Sequence, residues 1–550
     1  MTGQHSSAPS TPAARRPARV AFVGAGPGAK DLLTLAAVDL LGRADAVITD
    51  QLTAGGLVDE LAPEGVEVVD ASHGEHGKEL THASRAKLVV KTAKAHKGGV
   101  VVRLMDGDPA VFNGLAEEAA ALAKAGIEFD IVPGVSAVSA VPAYAGVPLS
   151  SSAVSGVHVV DAARAGSHDF SAAVAKDVTV VVMGLPEQLG PAVAALREAG
   201  RPGETPVALT QGGTTTTQVT RTTTLADVEQ ALEGLSVPTL AVVGPTVELR
   251  ERLSWFETKP LFGWRVLVPR TKEQSGSMQQ RLVHHGATSE VVPTISVEPP
   301  RTPQAMERAV RGLVTGRYEW IGFTSVNAVK AVREKFEEFG LDARAFSGLK
   351  IAAVGGVTAD ALRDWGIEPD LTPSGESSAR GLLEDWPPYD EVLDPINRVF
   401  LPRADIATDT LVAGLQESGW EVDDVTAYRT VRAAPPAAPI RDALKQGGFD
   451  AVVFTSSSTV RNLVGIAGKP HTSTVIACIG QATAKTAEEA GLRVDVIAPQ
   501  TDAVSLVDAL ADHGRALLEA AAEAGDEAVR PSQRRRSSGR RKTSGRRSAT

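Results

Sequence analysis

Three blocks in the second half of the chain recur in the same order, and a duplicated order of this kind leaves few folds open. RVLVPRTKEQSGSMQQRLVHHGATSEVVPTISV (265–297) parallels RVFLPRADIATDTLVAGLQESGWEVDDVTAYRTV (398–431). WIGFTSVNAVKAV (320–332) parallels AVVFTSSSTVRNL (451–463), and IAAVGGVTADALRDWGIEPDLTPS (351–374) parallels IACIGQATAKTAEEAGLRVDVIAP (476–499). Each block opens on a short β-branched apolar run, passes through a Ser/Thr/Gly/Pro turn and continues with apolar residues at helical spacing, the pattern of strand, turn and helix. The expectation is an α/β chain whose second half holds two similar parallel-sheet domains.

Before Gly263 no repeat is visible and the β-α alternation is longer. VAFVGAGPG, ADAVITD, VVVRLMDGDP, EFDIVPG and VTVVVMG are expected strands, with helices near Lys30 to Leu41, Ala83 to His96 and Leu115 to Ala125. The Pro and Gly of WFETKPLFGW (255–264) break both periods and mark a boundary. The expected organisation is a flexible leader at 1–18, a first domain at 19–258, a linker at 259–264, a two-domain part at 265–513 and a basic disordered tail at 514–550. From Arg530 onward the chain carries nine basic residues and no acid against a net charge of -10, so the rest is markedly acidic. That makes the body a poor surface for nucleic acid, and no specific nucleic-acid partner is expected.

Aromatics are only 4% of the chain, so the cores must be filled by Ala, Val and Leu. No apolar run approaches the roughly 20 residues that span a bilayer, and the leader lacks the apolar stretch of a secretory signal, so a soluble, cytoplasmic protein with no membrane partner is expected. Cys478 stands alone, which excludes an intrachain disulfide framework and any multi-cysteine metal site. No metal is expected.

Gly24, Gly26 and Gly28 sit in the turn after the first strand, where glycine lets a ligand approach backbone amides at a helix N-terminus. By spacing alone, Gly24, Gly26 and Ala29 also satisfy a permissive dinucleotide fingerprint, with Asp50 placed to contact a ribose, so a nicotinamide enzyme is a rival reading. The other strand ends favour a different one. DGDPAVF (106–112), IVPGVSAVSAVPAYAGVPLS (131–150), VVVMG (180–184), VALTQGGTTTTQ (207–218) and TLAVVGPTVELRERLSWFE (239–257) follow the glycine turn in order. Together these resemble the uroporphyrinogen-III C-methyltransferase family, across about Arg19 to Glu257. The resemblance implies two α/β subdomains with S-adenosylmethionine in the cleft between them. It places donor contacts on Pro27, Asp106, Gly107, Asp108, Val111, Ser136, Ala137, Met183 and Gly213, and a general base on Asp50. It also implies that Thr49 and Gln51 replace the family's Tyr and Arg around that acid, that no lysine matches the family's donor lysine, Lys78 lying out of register, and that Gln211 replaces an acid.

VPRTKEQSGSMQQRL, FTSVNAVKAV, LPRADIATDTL, TAYRTV and FTSSSTVRNL resemble uroporphyrinogen-III synthase, across about Gly263 to His513. This second half shows no Ser/His/Asp arrangement, metal cluster or phosphate loop. The resemblance implies chemistry that needs none of them: hydroxymethylbilane loses hydroxide, the last pyrrole ring inverts through a spiro intermediate, and the macrocycle closes as the enzyme holds geometry. It also implies a chain that crosses over, so that the middle section forms one domain and the two ends complete the other. Tyr428 matches the family's cleft tyrosine, a candidate proton donor to the leaving hydroxyl. Thr324, Ser325, Thr455 and Ser456 are expected to cap helices where amides receive substrate carboxylates, with Arg270, Arg403 and Arg429 as carboxylate partners.

The chain is accordingly expected to be a bifunctional tetrapyrrole-biosynthesis enzyme on the route to sirohaem and cobalamin. It would make uroporphyrinogen III and methylate it toward precorrin-2. Two alternatives stay open: a synthase with a donor-binding regulatory front domain, and a ligand-sensing nucleic-acid-binding regulator. The resemblance also leaves open a homodimer of the methylase-like part.

Overall fold

The structure, a computed structural model, describes residues 17–50, 56–73, 79–235, 239–271 and 275–534. Residues 1–16 of the leader, Gln51, the 74–78 stretch with Lys78, and the tail from 535 lie outside the described residues. The chain forms two compact units, one of Met1–Trp264 with Leu282–Thr288 and Gly514–Glu519, the other of Arg265–Arg281 with Ser289–His513 and Ala520–Thr550.

The first unit opens with β1 (Arg19–Gly24), β2 (Ala46–Thr49), β3 (Glu67–Asp70), β4 (Val100–Met105) and β5 (Phe129–Val132). They lie in the order β3-β2-β4-β1-β5, every pair parallel. Side chains alternate across a strand, so a sheet covered on both faces needs apolar residues on both. Phe22, Ile48, Val101 and Met105 pack with Val89 and Leu122 of the helices His82–Ala95 and Leu115–Lys124. Val23, Val47, Val102 and Leu104 pack on the opposite side with Ala37 and Leu41. The expected helix from Lys30 is broken into a 3-10 turn at Lys30–Leu32 and a helix at Leu35–Leu41, because Thr34 accepts the Ala37 amide and starts a new helix. A second sheet holds β6 (Gly156–Asp161), β7 (Val178–Gly184), β8 (Pro206–Gln211), β9 (Val219–Thr224) and β10 (Thr239–Val243) in the order β6-β7-β10-β8-β9. It is mixed: β6 and β7 are parallel, while β10 runs antiparallel to β7 and β8.

The second unit contains β11 (Arg265–Val268), β12 (Thr288–Val291), β13 (Ile295–Glu298), β14 (Trp320–Phe323), β15 (Lys350–Ala353), β16 (Arg398–Ala404), β17 (Glu421–Arg432), β18 (Ala451–Phe454), β19 (Val475–Cys478) and β20 (Val496–Ile497). One sheet has the order β12-β11-β18-β19-β20 and the other β13-β17-β16-β14-β15. The duplicated blocks are therefore exchanged. The first block of the first copy joins the second and third blocks of the second copy, and the reverse holds for the other sheet. The chain passes between the two sheets along β13 and β17, which pair antiparallel from Ile295 opposite Arg432 to Glu298 opposite Arg429.

The boundary expected at 513 is corrected by the structure. Asp502 accepts the Ser505 amide and starts a 21-residue helix, Ala503–Glu523, that runs through that position. Beyond it, Pro531 is buried and the Ser532 N–H donates to Asp450 Oδ1 at 2.9 Å, while Asp450 Oδ2 accepts from Arg265 N–H at 2.8 Å. The part of the tail from 514 to 534 is thus structured. A chain ending at His513 should unfold at lower temperature than one ending at Arg534, because it leaves one oxygen of the buried Asp450 without its donor, a loss of about 1–3 kcal/mol. Comparison of the two thermal midpoints checks this.

Candidate functional site

In the first unit the C-terminal ends of β1, β4 and β5 open into three turns that lie against one another. Gly26 N–H donates to Gly107 O at 3.2 Å and Gly107 N–H donates to Gly26 O at 2.9 Å. A Cβ placed on Gly24 would come within 2.5 Å of both Gly107 O and Gly134 Cα, so a side chain there is excluded by backbone rather than by a movable group. Asp108 ties two of the turns together, its Oδ1 accepting from Ala110 N–H at 2.8 Å and its Oδ2 from Gly134 N–H at 3.1 Å. Asn113 Nδ2 donates to Asp106 O and Asp108 O, both at 2.7 Å. Ser136 caps the helix Ala137–Tyr144 by accepting from Val138 N–H.

The same helix meets the second sheet. A Cβ on Gly213 would strike the Val141 side chain at 2.5 Å, and Met183 packs with Ala137 and Val138 around Val141 and Leu240. Ala29 N–H donates to Thr214 Oγ1 at 3.0 Å, which ties the glycine turn to the Gly213 turn. Thr214 is buried with φ +66, and its N–H is held by Gln218 Oε1 at 2.8 Å. Pro27, Asp106, Gly107, Asp108, Val111, Ser136, Ala137, Met183 and Gly213 are thereby gathered around one edge. The glycines expected to expose amides to a ligand also make the close packing of the turns possible.

Asp50 follows β2, beside the end of β4, since Thr49 pairs with Leu104. Both its oxygens accept from Arg103 Nη2, at 2.9 and 3.0 Å, and Arg85 Nε lies 3.8 Å away. Arg103 is fully buried in mid-strand, where alternation turns it toward the helices His82–Ala95 and Leu115–Lys124. There Glu118, equally buried, accepts from Arg103 Nε at 2.8 Å and Nη2 at 3.2 Å. Burial by itself would lower the arginine's pKa. Hydrogen bonds and attraction from Glu118, with Asp50 adding to them, outweigh it and hold the guanidinium above its usual value.

In the second unit, Ser325 follows β14 and caps Val326–Glu338, its Oγ accepting from Ala328 N–H at 3.2 Å. Ser456 follows β18 and caps Ser457–Ala467 in the same way through Thr459 N–H. Thr324 and Thr455, expected to cap as well, are not the N-cap residues: each stands one position before its cap. Tyr428 lies in β17, and its Oη is 2.9 Å from Ser325 Oγ. Arg270 lies in the turn after β11, a neighbour of β18, where burial lowers its guanidinium pKa. Arg403 and Arg429, expected as carboxylate partners of a substrate, each have a carboxylate partner within the chain. Arg403 is buried and binds both oxygens of Asp424 and the Thr408 carbonyl, and Arg429 donates to Glu298 Oε2 at 2.6 Å and Pro299 O at 3.1 Å. Burial pushes the Cys478 thiol up to about 12, so it is no thiolate nucleophile.

Two family models match in tandem, Tetrapyrrole (Corrin/Porphyrin) Methylases over residues 19–229 and Uroporphyrinogen-III synthase HemD over residues 276–508. A porphyrin biosynthesis protein HemD of Ruminiclostridium josui is 32% identical over 511 residues, which cover 90% of this chain and 98% of that protein. The chain belongs to this HemD porphyrin-biosynthesis family. The chain joins a methylase half to a synthase half and is an enzyme of tetrapyrrole biosynthesis. A siroheme synthase of Azotobacter vinelandii is 41% identical over 248 residues, 43% of this chain and about half of that protein's length, 52%. The solved native uroporphyrin III C-methyl transferase of Thermus thermophilus aligns with 42% of the chain and 99% of its own, at 30% identity and TM-score 0.36. Among the described residues no helix is long and apolar enough to cross a membrane.

In this HemD-family chain, sequence reasoning missed Arg103, Glu118, Arg85 and Thr214. One signal was available for the first: an arginine inside the apolar run VVVRLM must find an acid if the strand is buried. Gly24→Ala should cost about 3 kcal/mol by overpacking, since only backbone could move, and should abolish ligand binding at this edge. Thermal unfolding and calorimetry check it. Arg103→Met should cost about 3–5 kcal/mol by stranding Glu118, and adding Glu118→Leu should restore much of that, as denaturant melts of the single and double variants would read.

Proposed function

We propose that the C-terminal unit converts hydroxymethylbilane to uroporphyrinogen III, and that the N-terminal unit transfers methyl groups from S-adenosylmethionine to that product, toward precorrin-2. The proposed extents are 19–258 for the methylase and 265 onward for the synthase, whose last helix reaches Glu523. The observation that carries the methylase reading is the meeting of the glycine, Asp106–Val111 and Ser136 turns with Gly213 at one edge. A second observation supports a polar ligand there: Gln211 Oε1, two residues before Gly213, is buried with no hydrogen-bond partner among the described residues. The donor carries amine and hydroxyl groups that would satisfy such an acceptor. When bound, it supplies the methyl group. The chain's own part is to hold it between the two sheets, with Met183 as an apolar wall and Asp50 beside the turn to remove a proton from the methylated carbon.

One observation favours a narrower reading of this half, in which the donor binds without methyl transfer. Both Asp50 oxygens already accept from Arg103, which leaves fewer lone pairs for a proton on carbon. In the synthase, Tyr428 at the C-terminal edge of its sheet would protonate the leaving hydroxyl, and the helix ends at Ser325 and Ser456 and Arg270 would face substrate carboxylates.

Incubating the full chain with hydroxymethylbilane and labelled S-adenosylmethionine should give labelled methylated product. III isomer without label, together with donor binding by calorimetry, selects the narrower reading. Asp50→Asn should lower turnover more than donor affinity; equal losses would make Asp50 structural. Tyr428→Phe should slow formation of the III isomer about 100-fold or more without abolishing it, since water can still protonate the leaving group. The assay resolves it from the I isomer, which forms spontaneously.

A further inference from the structure

The two FTS turns of the duplicated half are equivalent in sequence, yet they have different surroundings. Among the described residues, Ser456 Oγ finds its hydrogen-bond partners in its own helix's first turn, Thr459 N–H at 3.2 Å and Ser458 Oγ at 2.9 Å. Ser325 Oγ accepts from Ala328 N–H at 3.2 Å and reaches across to Tyr428 Oη at 2.9 Å. The exchange of blocks explains the contact. It places β17, which carries Tyr428, in the same sheet as β14, which delivers Ser325, whereas β18 and Ser456 lie in the other sheet. Tyr428 is only 7% exposed, and Ser325 is the partner of its hydroxyl among the described residues.

We infer that Ser325 is a positioning residue that donates its hydroxyl proton to Tyr428 Oη. The inference rests on Tyr428 acting as the general acid of the synthase. A serine hydroxyl has one proton and two lone pairs. One lone pair is committed to Ala328 N–H. If the proton is given to Tyr428, the tyrosine's own proton is free to be handed on. As the C–O bond of the hydroxymethyl group breaks, its electron pair leaves with the oxygen, which takes the Tyr428 proton and departs as water. The cationic carbon stays on the substrate, and the phenoxide formed accepts from the Ser325 O–H beside the positive end of a helix. The proton lost from the pyrrole carbon at ring closure returns to the phenoxide. Hydroxymethylbilane thus becomes uroporphyrinogen III and water. In this arrangement Ser325 has no proton left for a substrate carboxylate, which sets it apart from the expectation that it binds one.

The test uses the full chain without methyl donor and follows the III isomer apart from the I isomer. Glycine is tolerated at an N-cap nearly as well as serine, so Ser325→Gly removes the hydroxyl and keeps the helix start. It should lower kcat about 10-fold and leave KM within about 2-fold, as expected for a hydrogen bond that strengthens with developing charge. Ser325→Thr, which keeps both cap and donor, should restore most of the rate. In a Tyr428→Phe background, Ser325→Gly should have no further effect on kcat. A rise in KM at unchanged kcat would overturn the inference in favour of a carboxylate contact. So would a kcat loss that persists undiminished in the phenylalanine background. Full activity of Tyr428→Phe would instead sink the tyrosine reading itself, whereas a slow Tyr428→Phe beside an active Ser325→Gly would remove only the serine's role.

Discussion

Parallel strands deliver their chain to a common edge, and every turn that leaves that edge must share space with its neighbours. In the first unit this constraint is met by removing side chains. Gly24, Gly107 and Gly134 stand so close that a Cβ on the first would collide with the backbone of the other two. Asp108 then fastens the turns by accepting from both Ala110 and Gly134. The amides and small residues gathered there are the raw material of a ligand site because the packing has already excluded bulk from the edge.

The second unit meets the same constraint with hydroxyls. Ser325 and Ser456 each end a parallel strand and begin a helix. Duplication alone would make their surroundings alike. What separates them is the antiparallel pair β13 and β17, which carries the chain from one sheet to the other and back. That crossing sets Tyr428 against one cap and not the other, so the fold breaks the symmetry of its own repeat at this position.

Buried charge divides differently between the halves. In the methylase half Arg103 and Glu118 sit together with no exposed surface and extend their contact to Asp50, which keeps 15% of its side chain exposed. A network of this kind holds a carboxylate in place at the cost of removing other charges from water, and it stands or falls as a unit. In the synthase half Arg403 and Arg429 serve strand pairing and turn geometry through Asp424 and Glu298. An arginine near a strand end can thus be held by a carboxylate of the same sheet, which competes with a substrate at no translational cost.

The α/β class, the tandem of two halves and the duplicated blocks were legible in the sequence because they follow from strand-turn-helix periodicity, which is local. So were the separate turns at the glycines, at Asp106–Val111 and at Ser136, and the caps at Ser325 and Ser456, since turn and cap chemistry is written within a few residues. Sequence spacing misplaced the end of the structured chain, because Ser532 is held by Asp450, 82 positions away. It could not give the arginines their partners, since Arg429 meets Glu298 across 131 positions. Nor could it join Ser325 to Tyr428, 103 positions apart, or Asp50 to Arg103, 53 apart. Local propensity fixes which residues turn, cap and alternate, whereas the partner of a polar group is chosen by which strands become neighbours, and that only the tertiary structure decides.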